Sequence, residues 1–428
     1  MSNAEFPIFC APRAATRGPR EHLLANYFGI DAWSPDLRHL LVLETEIASG
    51  LPDGRACTVG LVDTEDGCRF IPVMETRAWN FQEAAMAHWL PACASGKAPP
   101  HGRPCEFIVN DLRDGRFVAV VKNWRTGAER IVRHPVSAVS PDGTWALSIN
   151  YARLYLARPD YGYTGGGQDP RRGEAFPEDD GLWRVDLATG EAHLIASTAS
   201  LRGLVPDVAP GGLAYVCHTA ISRDGARIFF LLRSVSRPMD GVKTFQGVNW
   251  QTSAFTCNAD GTGMRRCFPD GWGASHFNWK PGRPGSRDAR TMAVTCNWRN
   301  EVYTHVEFTV GEEGMAHRIA GAEMDFDGHC IYTPDGLFVS GDGYWDDGGY
   351  RHWKIARLSD GAVRKIGRFF VPEKYRETYS RCDLHPRWRR DGRAIAFNSV
   401  HEGSRQVYVM ETTDEANPNA AKADTIYG

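Results

Sequence analysis

A histidine recurs at one position of a repeated sequence phrase. The seven equivalent positions lie three residues before the apolar residue that opens each copy, and they are Ile30, Met86, Val136, His218, His276, His329 and His385. Because histidine provides only 14 of the 428 residues, four consecutive hits among seven positions exceed what chance would produce. Imidazoles that converge from neighbouring strands suit a divalent transition metal or a proton transfer. The alternative is that they fill a wet channel as hydrogen-bonded side chains.

Three of these histidines are predicted metal ligands. His276, His329 and His385 come from successive copies of the phrase, and three protein ligands leave open positions for a substrate, as catalytic metal sites require. The expected ion is divalent, with manganese, zinc and calcium as candidates. His218, at the edge of the group, is predicted to be the general base or else a fourth ligand.

Two carboxylates accompany the predicted ligands. Asp327 and Asp383 lie two residues before His329 and His385, so each pair shares one side of its strand. We expect both carboxylates to orient the imidazoles. Residues 341–347 contain three further aspartates, but their spacing lacks the full ligand pattern of a calcium loop.

The repeated phrase also predicts the fold. It is an apolar residue followed closely by Asp-Gly, or a substitute, and then by a β-rich run. Seven copies follow one another at intervals of 56, 50, 82, 58, 53 and 56 residues, and they are WSPD (33–36), WLP (89–91), VSPDG (139–143), ISRDG (221–225), WKPG (279–282), YTPDG (332–336) and WRRDG (388–392). Such an interval holds one four-stranded blade. We predict an all-β fold, a seven-bladed β-propeller with four-stranded antiparallel blades in a single domain.

Shorter patterns predict the parts of this ring. Alternating strands joined by Asp/Asn-Gly or Thr-Gly turns predict β-hairpins at 116–132, 181–196, 253–268 and 352–367. The longest interval predicts an insertion at 163–180. Residues 1–28 precede the propeller, which is predicted to span 29–412, and a strand within residues 5–10 is expected to close the ring. Residues 413–428 are expected to fray.

Composition excludes several classes of partner. The net charge of −3 provides no basic excess, so a nucleic-acid partner is not expected. No apolar run approaches the roughly 20 residues of a membrane span, and the first residues lack a signal-peptide pattern, so we expect a cytoplasmic location and no membrane partner. Eleven scattered cysteines suit reduced thiols. There is no P-loop, no Rossmann glycine pattern on a strand-to-helix turn and no GxSxG elbow, which excludes kinase, dehydrogenase and esterase functions.

Several stretches resemble the propeller polysaccharide lyases, a group that contains oligogalacturonate lyases, ulvan-lyase-type enzymes and rhamnose-glucuronate lyases. The stretches are 76–91, 148–163, 217–233, 275–279, 327–336 and 381–412, and their most specific motifs are WNFQ, PDYGY, SHFNW and RCDLHPRW. The resemblance implies β-elimination at a 4-linked uronic acid and a manganese-type ion held by histidines near the axis. Where the oligogalacturonate branch has a Gln-x-x-His-x-His cluster, this chain has SRCDLHPRW (380–388), so the sugar stays open.

The chemistry of β-elimination assigns further residues. A cation must neutralise the uronate carboxylate before a base can remove the C5 proton, and an acid must protonate the departing O4. Arg233 matches the family's carboxylate-neutralising arginine in its spacing, with a surface arginine on a blade edge as the structural alternative. Tyr161 and Tyr163 are predicted to supply the phenol, unless they only cover a blade edge.

The remaining predictions concern the substrate. Gln82, Arg153 and Arg381 are predicted to bind it, although a buried and satisfied amide is the commoner role for a residue placed like Gln82. The expected partner is a uronate-containing oligosaccharide, acted on by a monomer or homodimer. Two other functions stay open: a rhamnosidase-type glycoside hydrolase on the same propeller, and a non-catalytic interaction module of the TolB-like kind.

Overall fold

Seven antiparallel sheets follow one another along the chain. The computed structural model describes residues 4–91, 105–166, 169–242, 247–377 and 379–413. Six of these sheets have four strands that follow one another in the chain, and the seventh has three such strands joined by strands from the N-terminal segment. The inner strands of neighbouring sheets contact one another around a central axis. The predicted all-β, seven-bladed propeller is therefore confirmed. The predicted frayed tail lies, except for Thr413, outside the described residues.

The N-terminal strands and the first three blades occupy residues 8 to 197. Before the first blade come β1 (Ile8–Phe9) and β2 (Arg13–Ala14). The first blade contains β3 (Glu21–Leu24), β4 (His39–Thr45), β5 (Cys57–Asp63) and β6 (Arg69–Thr76). The second contains β7 (His88–Trp89), β8 (Glu106–Arg113), β9 (Arg116–Asn123) and β10 (Glu129–Val132). The third contains β11 (Ala138–Val139), β12 (Trp145–Ser148), β13 (Gly181–Asp186) and β14 (Ala192–Ser197).

The last four blades occupy residues 213 to 413. The fourth contains β15 (Leu213–Ile221), β16 (Arg227–Val235), β17 (Trp250–Asn258) and β18 (Arg265–Arg266). The fifth contains β19 (Phe277–Trp279), β20 (Thr291–Trp298), β21 (Val302–Thr309) and β22 (His317–Arg318). The sixth contains β23 (Gly328–Tyr332), β24 (Phe338–Trp345), β25 (Tyr350–Arg357) and β26 (Val363–Phe370). The seventh contains β27 (Arg387–Trp388), β28 (Ala394–Ser399) and β29 (Gln406–Thr413).

The repeated phrase forms the turn between the first and second strands of a blade. In the third blade, Ser140 Oγ donates to Asp142 Oδ1 over 2.6 Å, and the backbone N–H of Trp145 donates to Ser140 Oγ over 3.1 Å. Gly143 follows with a φ of +69°, a backbone conformation that glycine adopts without strain. The same bonds recur at Ser222–Asp224 and at Thr333–Asp335. The phrase marks each blade because this turn is built from local side-chain chemistry.

The N-terminal segment completes the seventh blade. Ile8 pairs with Thr413 on β29, and Arg13 pairs with Val409 on the same strand. The first blade begins at Glu21, eight residues before the boundary expected at 29. The boundary was misplaced because the inner strand leaves the sheet after Leu24 and rejoins it only through a bridge between Trp33 and Leu40.

Apolar side chains fill the spaces between blades. Between the sixth and seventh blades, the ring centroids of Trp353 and Phe397 lie 5.2 Å apart, and those of Phe369 and Phe397 lie 5.0 Å apart. All three side chains are buried. Each large aromatic buried this way contributes about 2–3 kcal/mol relative to exposure, and a blade gains it only from its neighbour.

The insertion in the third blade begins with a helix that the sequence patterns did not predict. Helix α1 (Tyr151–Ala157) follows β12, and the Asn150 side chain caps it by accepting from the N–H of Arg153. A second helix, α2 (Thr198–Leu201), follows β14. The short 3-10 helices are Arg202–Leu204, Asp288–Arg290, Glu313–Met315, Ala322–Met324 and Glu373–Tyr375. No helix in the described ranges has the length and apolar character to cross a membrane.

Candidate functional site

The repeated histidines meet where the inner strands begin. The Nε2 atoms of His329 and His385 lie 3.0 Å apart, and the ring centroids of His276 and His329 lie 4.0 Å apart. All three side chains are buried. Neighbouring inner strands lie close together around the axis, so residues at one blade position converge there. The structure brings the three predicted ligands together.

His329, Asp383 and His385 form a donor set that suits a metal ion. One ligand atom from each lies within 4.8 Å of the others. Two nitrogens about 2.1 Å from one ion and at right angles to each other would be about 3.0 Å apart. The observed separation of the two Nε2 atoms has this value. Burial lowers the pKa of His385 well below 6.5, so this imidazole is neutral at pH 7, as a ligand must be.

His276 lies beside this donor set and has a different partner. Its Nδ1 is 3.2 Å from Asp327 Oδ1, a contact between adjacent blades. Burial and the neighbouring His329 lower the pKa of His276. Asp327 was expected to orient His329, two residues along its own strand. That expectation was wrong, because the strand directs the carboxylate toward the preceding blade.

Asp342 is the carboxylate that orients His329, and the sequence patterns did not identify this role. Its Oδ1 accepts from the backbone N–H of His329 over 2.8 Å and lies 2.9 Å from His329 Nδ1. Its Oδ2 accepts from the N–H groups of Leu384 and His385 over 3.1 and 3.3 Å. When His329 Nδ1 carries the proton, Nε2 is unprotonated and its lone pair can bind a metal ion. Asp342 lies in the 341–347 run, whose spacing lacks the full ligand pattern of a calcium loop and indicated no other role.

Asp383 is held by two guanidinium groups. Arg351 binds one of its oxygens, and Arg381 Nε donates to the other over 2.8 Å. Although burial favours the neutral acid, these cations hold the pKa of Asp383 well below its usual range. Arg381 also donates to Gln82 Oε1 over 2.7 Å, and Gln82 Nε2 donates to the Arg381 carbonyl over 3.0 Å. Gln82 and Arg381 therefore meet at the site as a pair, with the Gln82 amide already hydrogen-bonded.

His218 projects from a distorted part of its strand. The β15–β16 pairing shifts register between Cys217 and Ala220, and His218 has a φ of +51°. Non-glycine residues rarely adopt such a φ, and this strain is typical of functional positions. His385 has a φ of +45° at the equivalent position. Burial, followed by the charge of Arg233, lowers the pKa of His218 well below 6.5.

Arg233 and Tyr161 lie near His218. Arg233 on β16 is paired across the sheet with Tyr215, and its buried Nε has no hydrogen-bond partner among the described residues. The ring centroids of Tyr161 and His218 lie 5.0 Å apart, and the guanidinium carbon of Arg158 lies over the Tyr161 ring, 4.4 Å from its centroid. Burial raises the pKa of Tyr161, so its phenol keeps its proton at neutral pH.

Tyr27 is a second member of the site that the repeat alignment missed. Its ring centroid lies 5.2 Å from that of His218, 6.1 Å from His329 and 5.1 Å from His385. The adjacent Phe28 packs 4.7 Å from His329. Both belong to the loop that interrupts the first inner strand, and they pack against the histidines. The fixed offset of three residues had indicated Ile30 instead.

Tyr163 and Arg153 lie away from the histidines. Tyr163 stacks on Tyr151 at 4.2 Å, and its hydroxyl accepts from Asn110 over 3.1 Å within the core. Arg153, predicted to bind substrate, forms a buried 2.9 Å ion pair with Asp169 and donates to four backbone carbonyls of the insertion and β15. Tyr163 and Arg153 hold the insertion in place, so their geometry contradicts the predicted contacts with substrate.

Comparison with solved structures identifies the fold. The chain is similar to an oligogalacturonate lyase in complex with manganese, at 15% identity and a TM-score of 0.62, over 96% of this chain and 98% of that one. An oligogalacturonate lyase from Vibrio parahaemolyticus matches at 14% identity and a TM-score of 0.60, over 94% and 93%. The fold is that of the oligogalacturonate lyases. The resemblance noted in the sequence is thus confirmed for the fold.

Other comparisons are less informative. The tricorn protease matches at 9% identity and a TM-score of 0.52, over 93% of this chain and 35% of that one. Propellers with other activities therefore share the architecture, and function must be argued from the site. No protein-family model and no curated protein sequence matches the chain.

Proposed function

We propose that the protein is a carbon-oxygen lyase that cleaves uronate-containing oligosaccharides by β-elimination. The observation that carries the proposal is that His218 lies beside Tyr161 and within reach of the Arg233 charge, with the Tyr27 ring between it and the donor set of His329, Asp383 and His385. These groups provide a base, a fixed cation, an acid and a metal site on the fold of the oligogalacturonate lyases.

A divalent ion would be held by His329, Asp383 and His385, with His276 beside it. The donor set of two imidazoles and one carboxylate suits manganese, which accompanies the similar lyase. When bound, such an ion supplies positive charge that neutralises a uronate carboxylate and makes the C5 proton more acidic.

The chain's own residues then divide the reaction among them. Arg233 binds the carboxylate through its guanidinium, whose Nε has no other partner in the described ranges. His218, kept neutral by burial, takes the C5 proton. Tyr161, which keeps its proton at neutral pH, donates it to the departing O4. The Gln82–Arg381 pair, which adjoins Asp383, contacts the sugar. A cytoplasmic location and a monomeric or homodimeric state complete the proposal.

The test is an assay on a panel of uronate oligosaccharides, with and without a chelator. Elimination gives a 4,5-unsaturated product that absorbs in the ultraviolet, whereas a rhamnosidase-type hydrolase would release reducing sugar without that absorbance. His218→Ala should abolish the absorbance, and the exposed Glu75→Gln variant serves as the control. Sugar release without absorbance, or no turnover of any substrate with a bound metal, would refute the proposal.

A further inference from the structure

Glu83 is a buried carboxylate that the proposed mechanism does not use. It lies in the tight turn between β6 and β7, where Asn80 Oδ1 accepts from the N–H groups of Gln82 and Glu83 over 2.9 and 2.6 Å. Ala84 and Met86 in this turn have φ values of +55° and +49°. The turn is therefore held in one strained conformation that fixes the direction of Glu83.

Glu83 lies behind the proposed base. Its Oε1 is 3.8 Å from His218 Nδ1. This nitrogen is buried and has no hydrogen-bond partner among the residues that the structure describes. A distance of 3.8 Å is too long for a hydrogen bond, but a side-chain shift of about 1 Å would close it. A buried ring nitrogen that lacks a hydrogen bond destabilises the folded protein, so formation of this bond is favourable.

We propose that Glu83 is the positioning residue for His218. Its carboxylate accepts the Nδ1–H of His218, which leaves the lone pair of Nε2 free to take the C5 proton, and it stabilises the imidazolium that results. In this step the C5–H bond breaks, an N–H bond forms at Nε2, and the electron pair of the broken bond forms the C4–C5 double bond as O4 leaves. This inference rests on the proposed lyase function.

Burial and the charges around Glu83 set the pH at which its carboxyl group ionises. Burial raises the pKa of Glu83 to about 8, with Asp160 acting in the same direction and Arg158 and Arg233 opposing it. The other groups that face it are neutral at this pH, namely Tyr27, Tyr151, Tyr163 and Cys217. Below pH 8 the side chain is a neutral acid, and above pH 8 it is a carboxylate.

Ionised Glu83 strengthens the neighbouring base. A negative charge near His218 raises the pKa of the imidazole, which burial and Arg233 otherwise hold low. Glu83 and His218 also line a cavity of about 550 Å³, together with Tyr27 and Phe28. A polar cavity of this size can hold water, which would give Glu83 a route for proton exchange. The rate of elimination should therefore rise as the pH passes through 8.

Two substitutions separate the roles of Glu83. Glu83→Gln keeps an acceptor oxygen without the charge, whereas Glu83→Leu removes both. We expect kcat to fall by about 10-fold in the first and about 100-fold or more in the second, with KM little changed. The rise of kcat/KM with a midpoint near pH 8 should disappear in both variants. The exposed Glu75→Gln should behave as the wild type.

A readout without turnover keeps the inference separate from the proposed function. In protein labelled with ¹⁵N-histidine, the ring shifts of His218, assigned with His218→Gln, should show the Nδ1–H tautomer above pH 8 and lose it in Glu83→Leu. A tautomer that does not depend on Glu83, or an unchanged pH profile in Glu83→Gln, would overturn the inference. A Glu83-dependent tautomer in a protein that cleaves no uronate would support the pairing while refuting the lyase function.

Discussion

Asp342→Asn should weaken both metal binding and stability. The carboxylate is fully buried and receives four N–H groups, three from the backbone and one from the His329 ring. An asparagine has the same shape but one oxygen. Its amide NH₂ would face either the two donors of His329 or those of Leu384 and His385, and donors do not bond to donors.

The magnitude follows from the lost bonds. A hydrogen bond to a charged acceptor contributes about 1.5–3 kcal/mol and one to a neutral acceptor about 1 kcal/mol, so two lost and two weakened bonds correspond to about 4–10 kcal/mol. For 428 residues, the usual unfolding entropy converts 1 kcal/mol to a shift of about 1 °C. We expect the melting temperature to fall by about 4–10 °C. Because Asp342 orients His329, metal affinity should fall by about 10- to 100-fold.

Calorimetry measures both quantities. Titration with Mn²⁺ gives the affinity, and a thermal scan of the metal-free protein gives the stability. The matched control is Asp335→Asn in the same blade, where an exposed aspartate accepts from Thr333 and from the N–H of Leu337 over 3.0 Å. The control should change stability by less than about 1 kcal/mol and leave Mn²⁺ affinity intact. If Asp342→Asn bound Mn²⁺ as tightly as the wild type, the assignment of Asp342 as the group that orients His329 would be refuted.

Three further substitutions test the other assignments. Arg233→Lys should lower kcat/KM by about 100-fold on a uronate substrate, because an ammonium cannot bind a carboxylate in a two-bond fork; full activity would exclude the carboxylate role. Tyr161→Phe should lower kcat by about 100-fold or more with little effect on KM, and a normal kcat would assign the acid elsewhere. Arg153→Met leaves Asp169 buried and unpaired, so it should destabilise the protein by about 3–5 kcal/mol while the folded variant keeps its kcat. Unchanged stability with weaker substrate binding would restore the predicted contact of Arg153 with substrate.

The fold was predictable because its main signals are local. A Ser or Thr followed two residues later by Asp and then by Gly builds a turn from its own side chains, whatever surrounds it. Three of the seven copies, at 140–143, 222–225 and 333–336, have this pattern in full, and the other four carry substitutes. Together the seven copies placed seven blades, and the four predicted hairpins are confirmed as β9–β10, β13–β14, β17–β18 and β25–β26. Helix α1 was missed because its seven residues are too short to show a helical period.

The histidine cluster was predictable for a related reason. His218, His276, His329 and His385 occupy one blade position, and propeller geometry converts a shared position into proximity. The carboxylate that orients His329 does not occupy a repeated position in the sequence. Asp342 reaches His329 from the next strand of the same blade, over a separation of 13 residues that the pairing of β23 and β24 determines.

The two tyrosines of PDYGY show why local reading fails for individual side chains. Tyr161 and Tyr163 are separated by Gly162, whose backbone packs so tightly that an added Cβ would lie 2.2 Å from the Tyr155 nitrogen. This close contact requires glycine and turns the chain sharply. Tyr161 therefore lies near the axis, while Tyr163 enters the core against Tyr151. Only the tertiary contact with α1 distinguishes them.

The chemistry of the site is concentrated where the repeat is distorted. Met86, His218 and His385 occupy the repeated position with positive φ, and each such residue carries strain of about 1–2 kcal/mol. The first blade departs further, because its inner strand is interrupted by the loop that carries Tyr27. His329 reaches the cluster from a regularly paired strand, in which it pairs with Asp342. The strained backbone is therefore how the His218 and His385 positions, unlike that of His329, direct their imidazoles to the cluster, and substituting glycine there would relieve the strain while removing the base or the ligand.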